Sequence, residues 1–330
     1  MKRVLFLSFC ILSMIACSTL EGRPTRTPTT SVALPTISPQ PLQTAVELAG
    51  QVSRDRLMDD VRWLADDARQ GRRTGSPEEH VVGAWLSSRF ESLGLVNFAE
   101  AGLDSYMMPF DARSMQGENV IAVLRGAVRP ESYVFVAAHY DHIGVSKDGL
   151  VYNGADDDAT GVAAVLEIAR VLSTARSHLQ ETLVFVAFSG EEIGGFGSRS
   201  LCERLKAKDL VRRSLMLNLE VLGAAKGKGT FLDAWDQGVA TTMPIIQGVQ
   251  AMGRSIGIPV KRQGRDPGSD ALQMLDCGVP AISVDVAWSP ENHPNYHRLT
   301  DDAESIDVDG LYKATQVALG TAWLLANDGL

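Results

Sequence analysis

The sequence predicts an α/β protein in which a mostly parallel, mixed sheet lies between two helical layers, a three-layer α/β/α arrangement. Three observations carry this. Four runs, at 134–138, 182–188, 215–221 and 281–287, are nearly continuous in apolar and β-branched residues, the pattern of strands buried on both faces. Segments with helical spacing of apolar residues lie around and between them. Histidines and carboxylates stand just past the C-terminal ends of these runs, the edge at which open α/β sheets take their ligands.

Taken in order, residues 1–16 have the form of an export signal. Lys2 and Arg3 give a positive start and Val4–Ile15 an apolar core, too short for the roughly 20 residues that span a bilayer. Residues 17–44 are rich in Pro, Thr and Ser, a composition that buries no core and reads as an extended tether. The folded domain is expected over 45–330. Leu57, Val61, Leu64 and Ala68 mark a helix over 54–69. Val82, Leu86, Phe90 and Leu93 mark a second, with Pro77 in its first turn and Gly94 at its end. Strands are expected at 118–125 and at 134–138, followed by a helix through Val162, Val165, Leu166, Ala169 and Leu172. The remaining apolar runs follow, and a last helix lies near 307–327.

The chain has 330 residues, 45% hydrophobic and 22% charged, with a formal net charge of -9. No basic cluster stands out, which argues against a nucleic-acid partner, since phosphate recognition needs a positive face. Of four cysteines, Cys202 and Cys277 belong to the folded part and are able to pair in an oxidising compartment.

The chemistry sits at the strand ends. His139 and Asp141 follow the 134–138 run, with His142 next. Asp156, Asp157 and Asp158 precede the helix that starts with Thr160 and Gly161. Glu191 and Glu192 follow the 182–188 run, Glu220 ends the 215–221 run, and His293 and His297 lie in the loop after 281–287. Each fragment has an ordinary alternative: a loop histidine, a solvated Glu-Glu pair, acids complementing a helix N-terminus. Their coincidence at one edge of one sheet is harder to dismiss, because so many carboxylates buried together without a cation would be strongly unfavourable. Imidazole and carboxylate are ligands that zinc accepts.

Two resemblances extend this reading. Met14-Ile15-Ala16-Cys17 resembles the lipobox of bacterial lipoproteins, with Met14 where Leu is usual and Ile15 bulkier than the common small residue. It implies a lipidated Cys17 and an exported domain held at the cell envelope. His139-Tyr140-Asp141-His142, Gly154-Ala155-Asp156-Asp157-Asp158-Ala159-Thr160-Gly161, Ser189-Gly190-Glu191-Glu192-Ile193-Gly194, Asn218-Leu219-Glu220 and Tyr296-His297 together resemble the M28 family of zinc peptidases, in that family's order.

The family resemblance implies two zinc ions per chain and peptide substrates. His139 would bind one zinc, with Asp141 behind it orienting the imidazole. Asp157 would bridge the two ions, Glu192 and His297 would complete one site, and Glu220 the other. Glu191 would be the general base, passing a proton from an activated water to the leaving amine. Asp301 would support His297. Two residues depart from the family pattern: Glu220 stands where many members have Asp, and Ala271 follows Ser269-Asp270 where many carry His. The leading expectation is an aminopeptidase. A carboxypeptidase, a one-zinc cyclase like the glutaminyl cyclases, and a non-catalytic surface-binding domain are the alternatives, and the retention of Glu191 and all five ligands favours catalysis.

Overall fold

The computed structural model describes residues 39–328, apart from 230 and 267. The export signal, Cys17 and residues 17–38 of the expected tether lie outside the described residues. The chain begins with α1 (Pro39–Ala49), α2 (Arg54–Leu64) and α3 (Pro77–Ser92), then β1 (Met107–Ala112), β2 (Met115–Leu124) and β3 (Arg129–His139). A small hairpin, β4 (Gly144–Val145) and β5 (Val151–Tyr152), precedes α4 (Thr160–Thr174), β6 (Glu181–Phe188), α5 (Phe196–Ala207) and β7 (Ser214–Leu219). β8 (Leu232–Trp235), α6 (Met243–Ile256), β9 (Val260–Gln263), α7 (Asp270–Asp276), β10 (Ala281–Val286) and α8 (Val308–Asp328) complete it.

The main sheet has eight strands in the order β1-β2-β6-β3-β7-β10-β8-β9. Its centre, β6-β3-β7-β10, is parallel throughout, while β1, β2 and the β8–β10 pairing are antiparallel. The fold is therefore the mixed three-layer α/β type expected. Register sets the site. His139 lies beside Phe188, Ala137 beside Asn218, and Asn218 beside Ser283. The residues that follow these strands, Ser189–Glu192 and Glu220, thus emerge next to His139–His142 along one sheet edge.

The strands alternate strictly between two cores. Val134, Val136 and Ala138 of β3 and Leu183, Phe185 and Ala187 of β6 face the side covered by α1, α4 and α8. Phe135, Ala137, Val184, Val186 and Phe188 face the opposite layer, where Leu201 and Leu205 of α5 and Met274 of α7 pack. Burying each valine, leucine, phenylalanine or methionine among them contributes about 1.5–3 kcal/mol, which fixes the register and with it the strand ends. On this second side a Cys202–Cys277 disulfide ties α5 to the residue capping α7.

Some boundaries differ from the sequence expectation. α1 starts at Pro39, six residues before the expected domain start at 45, and its Ala45, Leu48 and Ala49 are buried. Pro39 and Pro41 suit a first turn, where their missing N–H groups cost nothing. The helix expected over 54–69 ends at Leu64, and Asp67–Arg72 forms a separate 3-10 segment with positive φ at Gln70, Gly71 and Arg72. α3 begins as expected: Ser76 accepts the Glu79 N–H at 3.1 Å, and Pro77 follows it. β1, β8 and β9 have no counterpart in the sequence expectation.

Candidate metal centre

β3 ends in His139, and the turn after it carries Asp141 and His142, all three buried. The segment from Ala155 to Ala159 delivers Asp157 across the same edge. It is held by its neighbours: Asp156 accepts the Gly223 N–H at 2.8 Å, Asp158 accepts the Val221 N–H at 3.1 Å, and Thr160 accepts the Leu222 N–H at 3.0 Å. His293, which the sequence leaves without a role, has one ring nitrogen 2.6 Å from an Asp156 oxygen and the other against the Val286 carbonyl at 2.5 Å. It braces the acidic segment against the loop after β10.

Asp157 lies between two histidines. Its Oδ1 is 3.1 Å from His139 Nε2, and its Oδ2 is 3.0 Å from His297 Nε2. His297 Nε2 is also 3.2 Å from Glu192 Oε2, and Glu192 Oε1 lies 2.7 Å from His142 Nδ1. His142, Asp157 and Glu192 each present a ligand atom within 4.8 Å of the others. Burial opposes charge on His139, but Asp141 and Asp157 outweigh it and hold the imidazole well above its usual range. Burial likewise opposes ionisation of Asp157, and His139 and His297 reverse the balance, holding it well below. His297, facing the carboxylates of Asp157 first and then Glu192, is pushed up to about 10.

The donor set fits a cation. His139 Nε2, both ring nitrogens of His142, Asp157 Oδ2 and Glu192 Oε1 are buried, and although these side chains crowd one another and His297 at 2.7–3.1 Å, none of these atoms is aligned for a hydrogen bond. Orphaned buried polar atoms are rare in folded proteins, and these belong to residue types that bind zinc. A metal would displace the protons that His139 and His297 otherwise hold.

The other expected site residues are placed as follows. Glu191 and Glu192 follow β6. The Glu191 N–H donates to Asp141 Oδ1 at 3.2 Å, and burial pushes the Glu191 carboxyl well above the carboxylate range, with Asp270, Asp141 and Asp157 adding to it and His139 opposing. Asp141 Oδ2 accepts the Thr74 hydroxyl at 2.7 Å. The acceptor nearest His139 Nδ1 is the backbone carbonyl of Asp141, at 3.1 Å, whereas the Asp141 carboxylate lies at 3.8 Å. Asp141 thus faces the imidazole with its backbone and spends its carboxylate on Glu191 and Thr74. Glu220 stands at the same edge, but its Oε2 accepts from Asn218 at 3.2 Å and Ser283 at 3.3 Å. Asp301 departs from the expected support of His297: its carboxylate accepts the N–H groups of Asp156 at 2.9 Å and Asp157 at 3.2 Å. Ala271 is buried at the second core, on α7.

Two residues without an expected role stand out. His142 belongs to the metal-competent cluster, and its position one residue past Asp141 was the signal for it. Arg72 is fully buried and donates to the carbonyls of Leu64, Tyr140, Asn153 and Gly154 at 2.6–3.0 Å. One guanidinium thereby joins the turn after β3 to the start of the acidic segment. In the sequence it is one charge in a Gly-Arg-Arg loop, the usual setting of a solvated side chain.

The model of peptidase family M28 matches residues 119–322, and the chain belongs to that family. A probable zinc metalloprotease of Pyrenophora teres f. teres is 26% identical over 316 residues, covering 85% of this chain and 66% of that protein. Aminopeptidase YwaD of Bacillus subtilis is 26% identical over 204 residues, 60% of this chain and 42% of that protein. The chain spans less than two thirds of the length of these curated relatives. Among solved structures, the LapA aminopeptidase of Legionella pneumophila superposes with a TM-score of 0.71 at 16% identity, covering 88% of this chain and 76% of that one. A glutaminyl cyclase of Fimbriiglobus ruber superposes with a TM-score of 0.66 at 22% identity, covering 83% and 96%.

Proposed function

We propose that the chain is a two-zinc exopeptidase that removes residues from the free N-terminus of peptides. The observation that carries this reading is Asp157, whose two oxygens face two different histidines, His139 and His297. His139 and Glu220 would hold one ion with Asp157, and Glu192 and His297 the other. Zinc, when bound, supplies a Lewis acid and a water of lowered pKa. The chain supplies the proton handling. Glu191, at the sheet edge with a carboxyl that burial favours in the protonated form, takes a proton from water and returns it to the leaving amine. Asp141 receives the Glu191 N–H and the Thr74 hydroxyl, and so keeps the base beside the ligands.

The test is zinc content of the folded protein together with hydrolysis of aminoacyl chromogenic amides and their N-acetylated controls. Two zincs per chain and cleavage blocked by acetylation support the aminopeptidase. One zinc with no turnover of these amides would replace it with the cyclase reading. That second reading has one observation in its favour: among the described residues the compact donor cluster is His142, Asp157 and Glu192, while Glu220 is bonded to Asn218 and Ser283.

We further propose that the enzyme is exported and lipid-anchored through Cys17. The signal-like residues 1–16 and the Met14–Cys17 motif support this, and a Cys202–Cys277 disulfide suits an oxidising compartment. Metabolic lipid labelling lost in Cys17→Ser is the expected result, and labelling that persists would place the anchor elsewhere. Among the described residues no helix is long and apolar enough to cross a membrane.

A further inference from the structure

A cavity of about 220 Å³ opens beside the candidate metal centre. Glu220 borders it, and so does Tyr296, whose ring stacks on His297 at 4.0 Å. Its other walls include Trp235 and Trp288, with Asp266 and Asp285. Among the described residues that border it, none carries a positive charge. The volume falls below that of pockets for drug-sized ligands and suits one amino-acid side chain.

The carboxylates are not equivalent. Asp266 is committed to its own loop, accepting from the Gly268 N–H at 2.9 Å and from the Ser269 hydroxyl. Asp285 is 7% exposed, and its Oδ2 accepts the Trp235 indole N–H at 2.7 Å while Oδ1 has no partner. The indole fixes the carboxylate in place, and one oxygen remains to be satisfied. Burial pushes this carboxyl well up, an effect that Asp233 reinforces. A cation seated in the cavity would reverse it.

We propose that this cavity receives the side chain of a lysine or arginine at the N-terminus of the substrate, with Asp285 as the residue that selects the positive charge. The inference rests on the exopeptidase reading and names its substrate class. A long aliphatic stem would pack along Trp235, Trp288 and Tyr296, and the cationic head would gain both a charge-assisted hydrogen bond to Asp285 and the attraction of the aromatic faces. A neutral side chain of the same length would leave Asp285 Oδ1 buried and unpaired.

The test uses the zinc-loaded full chain. kcat/KM is measured on the 4-nitroanilides of lysine, arginine, norleucine and leucine, and binding of L-lysinamide and L-norleucinamide is followed by calorimetry. Norleucine has lysine's stem without its charge, so wild type alone discriminates. Lysine and arginine are expected to exceed norleucine by about 10- to 100-fold. Asp285→Asn, which keeps an acceptor for Trp235, is expected to remove that preference while changing norleucine turnover by less than about threefold. Equal turnover and binding of lysine and norleucine in wild type would overturn the proposal and leave the peptidase reading intact. Asp285-dependent binding of lysinamide without cleavage of any amide would sustain the cavity assignment and end the peptidase reading. A divalent ion that binds beyond the catalytic complement and is lost in Asp285→Asn, with no lysine preference, would assign the cavity to a metal and overturn the proposal.

Discussion

Asp301 accepts the backbone N–H of Asp157 at 3.2 Å and that of Asp156 at 2.9 Å. Asp157 and Asp301 come from opposite halves of the matched family segment, yet one carboxylate sets the backbone of the central candidate ligand. The histidine loop and the acidic segment are therefore a single mechanical unit, braced a second time by His293 on Asp156.

Asp301→Asn should weaken zinc binding by roughly 10- to 100-fold, the usual effect of losing a residue that positions a ligand. The new amide N–H₂ would face one of the two backbone donors. Competition with a chromophoric chelator measures the loss, and circular dichroism checks that the fold persists. Unchanged affinity would remove Asp301 from the site.

Glu191→Gln should retain zinc and lose about 10²–10⁴-fold in turnover, the range assigned to general acid–base catalysis. The backbone N–H that Asp141 accepts is untouched by this change. Full activity in the variant would rule out Glu191 as the proton carrier.

Removal of metal should lower thermal stability, because His139, Asp157 and Glu192 would keep orphaned buried atoms. Free zinc at 1,000 times its dissociation constant should restore about 4 kcal/mol. His139→Ala should abolish most of this zinc-induced rise in Tm. A variant that responds to zinc as fully as the wild type would contradict the ligand assignment.

Glu79 supplies a pH prediction clear of the candidate ligands. Burial pushes its carboxyl up to about 7, against the lowering effect of the Ser189 hydroxyl and the Gly75 and Glu118 N–H groups. The folded state thus keeps a proton that the unfolded chain releases near pH 4.5. Stability from this group is complete below pH 4.5 and declines as pH rises to 7, by roughly 3 kcal/mol. Denaturant unfolding of wild type and Glu79→Gln at pH 4.5 and 8 should show the wild type losing that amount relative to the variant. A constant difference would contradict the shift.

The central strands were readable because strands buried on both faces leave long apolar runs, and β3, β6, β7 and β10 are of that kind. β1 was hidden because its burial alternates and Pro109 and Asp111 interrupt its apolar pattern. β9, Val-Lys-Arg-Gln, is short, polar and partly exposed. Within the site, the residues that follow strands were visible because a strand end is a local signal. Contacts between loops are not local. Nothing in the four-residue spacing of His297 and Asp301 says that the carboxylate serves the acidic segment instead, and nothing in a Gly-Arg-Arg sequence says that Arg72 is buried. Asp141 shows a subtler limit: its proximity to His139 was readable, but which of its oxygens turns toward the imidazole was not.

Arg72 has a consequence for how this architecture can be shortened or exchanged between proteins. The family segment begins at residue 119, 47 positions after the arginine that satisfies three carbonyls around the ligand turns, those of Tyr140, Asn153 and Gly154. Each carbonyl left dry would cost about 1–3 kcal/mol, and together they rival the 5–15 kcal/mol that holds a whole domain folded. A fragment cut at the family boundary would carry every proposed zinc ligand and still lack its keystone. The smallest unit that evolution or an engineer can transplant intact reaches back at least to the helices preceding β1.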